Sequence, residues 1–332
     1  MITIDNGEAV VMMSTSLRVR FTTERWIIGV ALVLALALLA GCGMVLRLAY
    51  GQAPTLAYWR IDGYVDLNDE QSGKVREAID RWFEWHRRTE LPRYATLLAR
   101  AQRDVMEPTL SPDQLCAWRD EALRRFDAAL DEATPALARL TLSLTPQQIR
   151  HMESKLAKDG EKLKRDFAQK ERAERLKAAF KRTLERYETL YGQLNEAQRA
   201  KLTQLLAASP FDAERWLAER ERRNREMIAA LTTVAALGRE AGDPTKAQAQ
   251  AEATVRDLAD RILRSPRPDY RAYQQRLTQD NCALAATMHG LTTPAQREHA
   301  RDKLKSWEED ARLIVAGGSG ADNGAVPNGS SR

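Results

Sequence analysis

The chain has 332 residues, with 51 Lys or Arg against 46 Asp or Glu, a formal net charge of +5. Alanine, leucine and charged residues dominate, glycine is sparse before residue 317 and β-branched runs are absent, so the composition reads as nearly all helix and leaves little for a sheet. So small a positive surplus suits anionic headgroups or polyanionic envelope polymers, but it does not point to nucleic acid as a partner.

The first element is apolar. From Trp26 to Leu46 there is no charge and no proline, and about 20 residues suffice to cross a bilayer as a helix. Arg18, Arg20 and Arg25 precede the run, a bias that keeps an N-terminus in the cytoplasm. A retained anchor is therefore one reading. The order of parts favours another: a basic n-region, a 15-residue core from Trp26 to Ala40, then small residues at a defined point. Leu39-Ala40-Gly41-Cys42 resembles the lipobox of bacterial lipoproteins. The resemblance implies cleavage between Gly41 and Cys42, a diacylglycerol on the Cys42 thiol and an N-acyl chain on the new amino group. No cofactor is expected beyond that covalent lipid. Two acyl chains already hold a protein stably on a membrane, and three do not let go. By the family's rule an Asp after the cysteine holds a lipoprotein in the inner membrane. Gly43 stands there instead, which favours the inner leaflet of the outer membrane, facing the periplasm, with the inner membrane as alternative. Asp5 and Glu8 are unusual in an n-region, and a start at Met12 or Met13 gives a signal of ordinary length. Cleavage removes as many acids as arginines, so the mature charge stays near +5.

Beyond the lipobox one device recurs: "LNDEQ" at 67–71, "LSPDQ" at 110–114, "LTPQQ" at 144–148, "LNEAQ" at 194–198 and "LTTPAQ" at 291–296. Each places Asn, Ser or Thr three residues before Gln, the spacing of a capping box. Three have proline at the first helical position, where its missing N–H costs nothing. Helices are thus expected to begin near 68, 111, 145, 195 and 293, with the preceding Leu packing back on the first turn, against Leu115 and Ile149. After Ser111 a stripe runs Leu115, Trp118, Ala122, Phe126, Ala129, Ala133, Leu137 and Leu140, with Pro135 expected to kink or restart the helix. Residues 145–191 could form one long helix, bending where its stripe fades at 168–175. Further helices fit 72–88, 93–106, 212–240, 246–264 and 269–289, and "SPRP" at 265–268 is a break. The expected fold is all-α, an elongated bundle or stack of antiparallel helices. The expected division is a signal at 1–41, a lipidated N-terminus and tether at 42–66, a helical periplasmic domain at 67–315 and a disordered tail at 316–332.

Once Cys42 carries lipid, Cys116 and Cys282 remain. In an oxidising compartment a disulfide between them is favoured over two buried thiols. Neither has zinc-ligand spacing around it.

"LTPQQ" resembles the LTxxQ motif of Spy and CpxP, small periplasmic helical proteins that bind unfolded clients and report envelope stress. That resemblance implies a concave, basic, partly apolar surface. A second covers more of the chain: "LRLAY", "YVDLNDEQ", "WFEWHRRTELPRYATLL", the Leu115-Cys116-x-Trp118 pattern and the LTPQQ helix follow the lipobox in order. This resembles a family of uncharacterised proteobacterial lipoproteins, a domain of unknown function spanning about 42–315. It brings no activity and no site residues.

The densest local feature is "DRWFEWHRRTELPRY" at 80–94. Trp82, Phe83 and Trp85 cannot all face one core, so Trp82 or Trp85 must turn toward a neighbouring helix, the membrane or a partner. His86, Arg87 and Arg88 follow at the helix end, where cations suit the dipole. An aromatic core with a basic cap is one reading, and an interaction patch is the other. Between Arg150 and Glu188 there are 13 Lys or Arg against 8 Asp or Glu, but the i,i+4 order of acid before base marks a solvated face. His86, His151, His289 and His299 form no close ligand pair, and no nucleophile or phosphate-loop signature is present. No metal site and no enzymatic activity are expected. The expectation is a membrane-anchored lipoprotein that binds envelope proteins or serves structurally, or else a Spy/CpxP-like chaperone or stress module. No oligomeric state is implied.

Overall fold

The capping boxes start the helices. In the computed structural model, which describes residues 43–240 and 242–319, the N-cap side chain of each box accepts from the glutamine N–H three residues on, and that glutamine's Oε1 accepts from the N-cap N–H. Both bonds form at Asn68/Gln71, Ser111/Gln114, Thr145/Gln148, Asn195/Gln198 and Thr293/Gln296. The elements are α1 (Gly43–Val65), α2 (Asp69–Trp85), a π-helical turn (His86–Glu90), α3 (Leu91–Asp104), α4 (Pro112–Leu142), α5 (Pro146–Phe167), α6 (Arg172–Tyr191), α7 (Glu196–Ala208), α8 (Ala213–Glu240), α9 (Pro244–Leu263), α10 (Pro268–Gly290) and α11 (Pro294–Ser319). Among the described residues there is no strand, and the fold is an all-α bundle. The expected signal at 1–41, with Gly41, and the expected lipidation site Cys42 lie outside the described residues, as do 320–332 of the expected tail.

Two sets of helices divide the core. Helices α1, α2, α4, α5, α8 and α9 enclose three small clusters, around Val65, Leu144 and Ile149, around Tyr58, Val75 and Ile79, and around Ala138, Val234 and Ala251. Helices α3, α6, α7, α10 and α11 enclose two more, around Val105, Tyr191 and Leu304, and around Leu202, Leu284 and Met288. Where α4, α8 and α9 meet, the buried residues are the small Ala138, Val234 and Ala251, which lets the helices approach closely. Gly238 marks the limit: a Cβ there would stand 2.1 Å from the Leu142 carbonyl oxygen, so even alanine would force α8 off α4.

Each set has one corner pinned by a pair of capping glutamines. Gln148 Nε2 donates to Gln71 Oε1 (2.6 Å) and to the Asp66 carbonyl (2.8 Å), while Gln71 Nε2 donates to the Ser143 carbonyl (3.0 Å). In the second corner Gln198 Nε2 donates to Gln296 Oε1 (2.7 Å) and the Leu291 carbonyl (2.7 Å), and Gln296 Nε2 donates to the Gln193 carbonyl (3.0 Å). All four carbonyls stand two residues before an N-cap, so the corners are equivalent. Asp66 reaches this position through a left-handed backbone (φ 61°), which aspartate tolerates better than most residues. The fifth glutamine, Gln114, is exposed. An amide buried in a full network is costly to leave unpaired. Gln198→Ala and Gln296→Ala are each expected to cost about 1–2 kcal/mol in urea unfolding, and together about 0.5 kcal/mol or more below their sum. Strict additivity would contradict the pairing.

The structure corrects several expectations. The segment read as a tether is helical over Gly43–Val65 and packs into the body, with Tyr58 and Val65 buried. Pro135 neither ends nor restarts α4, which is continuous to Leu142. The expected stripe of α4 fails in its first half: Ala122 and Phe126 are exposed and Arg125 turns inward toward Glu90, because a buried carboxylate needs a cation more than this half needs another apolar seam. Residues 145–191 break at 168–171 into α5 and α6, within the stretch where the apolar stripe fades. The two helices expected at 72–88 and 93–106 are one continuous rod. Pro92 has no N–H to donate, so the rod passes it on a π turn in which the Leu91 N–H bonds back to the His86 carbonyl. Of the expected tail, residues 316–319 belong to α11.

Candidate functional site

The π turn gathers most of the residues singled out in the sequence. Trp82 Nε1 donates to the Ala129 carbonyl on α4 at 2.9 Å, and the Trp82 ring stacks on His86 with centroids 4.9 Å apart. Tyr50 of α1 meets this cluster: its ring abuts Phe83 edge-on, and its hydroxyl lies 3.0 Å from His86 Nδ1. Burial holds His86 below the ordinary imidazole range and pushes Tyr50 up to about 12. Glu90 ends the turn with no exposed surface. Arg93 Nη1 donates to its Oε1 at 2.6 Å, Arg125 Nη1 stands 3.9 Å from Oε2, and Oε2 accepts no hydrogen bond. Trp82 is thus the residue that turns sideways, toward a neighbouring helix. Trp85 is half-buried against it. Arg87 is half-buried, and Arg88 is exposed and paired with Glu84 at 3.1 Å. The segment forms a joint between α1, α2, α3 and α4, with Arg88 left toward solvent.

The other expected residues lie apart. His151 Nε2 is 3.3 Å from the Gly63 carbonyl. His289 is buried, its Nδ1 2.9 Å from the Tyr191 hydroxyl and its Nε2 2.9 Å from the Glu107 carbonyl. A carbonyl only accepts, so Nε2 carries the proton and Nδ1 accepts from Tyr191. Cys116 and Cys282 are joined in a disulfide, Cα atoms 5.6 Å apart, tying the first turns of α4 to α10. Among the described residues no three His, Cys, Asp or Glu side chains are grouped to hold a metal ion.

Two features escaped the sequence reading. The first is a charge knot on α8. Glu219, fully buried, accepts from Arg222 Nε (3.0 Å) and Nη2 (2.7 Å), from Arg223 Nε (3.1 Å) and from Arg267 Nη1 (3.4 Å). Burial pushes its carboxyl up, but the hydrogen bonds from Arg222 and Ser265 outweigh that and hold it at about 2. Three cations at i+3, i+4 and beyond a helix break look in the sequence like surface charge.

The second is a groove of about 1540 Å³ between the second half of α5, the α5–α6 turn and the first half of α8. Leu156, Leu163, Phe211, Leu217 and Ile228 supply its apolar lining. Each wall carries both signs, Lys162 and Asp166 from α5 and Glu221 and Arg225 from α8. Seven carboxylates and seven cations line it in all. It is concave and partly apolar but charge-balanced, not basic. The groove exists because α5 ends at Phe167 instead of running on, and only the fading of the stripe over 168–175 marked this in the sequence.

No helix among the described residues is long and apolar enough to cross a membrane. Searches of curated proteins and of solved structures each found no match. Residues 63–241 match a family of unknown function (DUF6279), from the end of α1 to the end of α8, and so include both walls of the groove and one of the two glutamine corners. As that match covers more than half of the chain, the protein belongs to this family of unknown function.

Proposed function

We propose that the protein is a lipid-anchored component of the cell envelope, tethered through Cys42 and facing the periplasm from the outer membrane, that works by holding a segment of a partner protein in the α5–α8 groove. The groove carries this reading. Its apolar lining offers burial for a few large side chains, and walls of both signs suit a partner segment that itself carries both charges. Support for the envelope comes from the order of basic, apolar and small residues ahead of Cys42, and a Cys116–Cys282 disulfide suits an oxidising compartment. The test is a photo-crosslinker at Leu217 in the intact lipoprotein, compared with one at exposed Leu123. A discrete partner captured from the groove position and lost in Phe211→Asp supports the reading. Equal or absent capture at the two positions contradicts it.

A second reading rests on the LTPQQ motif and the concave lining: a chaperone of the Spy/CpxP kind. It predicts suppression of light scattering by a reduced, aggregating client at near-stoichiometric protein. An unchanged scattering trace removes it.

A further inference from the structure

Apart from His151, whose Nε2 reaches the Gly63 carbonyl, little protein lies against the outer face of α1. Leu56 is 54% exposed and Trp59 62%, more than any other large apolar side chain described. Steps of three and four residues return to the same side of a helix, so Gln52, Leu56, Trp59 and Gly63 form one stripe, all exposed. No carboxylate of α1 stands on it, and Arg60, mostly exposed and 3.9 Å from Asp159 of α5, lies at its edge. The opposite side of α1 is apolar as well, with Tyr58 buried and Ala57 and Ile61 packed around it. Surface helices ordinarily turn polar residues outward. This one is apolar on both sides.

The chain ahead of α1 indicates what covers the outer side. The helix is described from Gly43 on, directly after Cys42 in the sequence, so a lipid on that thiol would hold this end at a bilayer surface. Trp59 stands 17 residues further on, about 26 Å along the axis at 1.5 Å per residue. An upright helix would lift Trp59 clear of the headgroups, whereas a helix lying along the surface brings Leu56 and Trp59 down to it. Tryptophan favours that level because its ring is apolar and its N–H polar, and a neighbouring arginine suits lipid phosphates. We infer that the Leu56–Trp59 stripe of α1 rests in the headgroup layer of the bilayer that holds the Cys42 lipids, so that α1 runs along the membrane. This rests on the lipid-anchor reading above. Arg60 and Tyr64 also border the α5–α8 groove, whose α1 edge then opens beside the membrane.

The test uses the full lipidated chain in vesicles of phosphatidylethanolamine and phosphatidylglycerol, as wild type and as Trp59→Phe. The difference between their emission spectra isolates Trp59 from the other tryptophans, and flotation reports attachment separately. Both proteins are expected to float, with the difference emission lost to lipids brominated near the headgroup and shielded from aqueous acrylamide. If both float but the difference emission is quenched by acrylamide and untouched by brominated lipid, the inference is overturned and the anchor stands. If neither floats, the anchor reading and the inference fall together.

Discussion

Cys116→Ser is expected to lower the unfolding free energy by about 2–5 kcal/mol, and Cys282→Ser by a similar amount. The bridge spans 166 residues, and closing so long a loop in the unfolded chain costs about 5 kcal/mol in the chain-entropy view. The native state adds a second reason. The buried residues of α4 are Thr134, Ala138 and Thr141, all in its last third, while Leu123 and Phe126 in its first half are exposed. The disulfide pins the half of the helix that packing holds least. Urea unfolding with and without reductant checks this. A loss of a few kcal/mol that reductant reproduces in wild type but not in the variants supports it, and unchanged midpoints contradict it. Protease cleavage should rise first in 112–130, because local opening follows local packing.

The second large effect belongs to Glu219. Glu219→Gln removes the charge from a buried carboxylate that serves three guanidinium groups, and Arg222 and Arg223 are themselves mostly covered. Breaking a buried pair costs about 3–5 kcal/mol, reduced here to roughly 2–4 because Arg267 is half in solvent. The pH dependence carries a sign. The folded carboxyl is held at about 2, against about 4.3 in an unfolded chain. The unfolded state therefore takes up the proton first as pH falls. The stabilisation is complete above the unfolded value and is lost between it and about 2. Wild type should exceed Glu219→Gln by a constant margin at neutral pH, and the margin should close as pH falls below about 4. A margin that stays constant down to pH near 2 would show that the charge is not what the knot stabilises.

Much of the fold was legible because its signals are local. A capping box needs only residues three apart, so Asn68, Ser111, Thr145, Asn195 and Thr293 marked their helix starts without tertiary information. The same residues hid their second role. Nothing in "LNDEQ" or "LTPQQ" says that Gln71 and Gln148 bond to each other, since the partners are 77 residues apart. Periodicity failed where a polar contact outweighed apolar burial. Arg125 faces inward because Glu90 is buried, and Phe126 is turned out with it. Pro135 was expected to kink or restart its helix and lies inside a continuous one, and the two helices expected at 72–88 and 93–106 are joined across Pro92 by a π turn. Of the candidate site, the cluster at 80–94 was visible as composition, whereas its use as a joint depends on Tyr50 and Ala129, which no pattern linked to it. The groove was invisible for the same reason: it is a gap between α5 and α8, about 50 residues apart in the chain.

The lipid on Cys42 is tested most directly by the mass of the N-terminal peptide of the protein purified from its own envelopes. An anchored lipoprotein should yield a chain beginning at Cys42 and heavier than the bare peptide by a diacylglyceryl group and an acyl chain, with Cys42→Ala leaving the envelope fraction. An N-terminal peptide in which an unmodified Cys42 still follows Leu39-Ala40-Gly41, in a protein that stays with the envelope as Cys42→Ala, would contradict it.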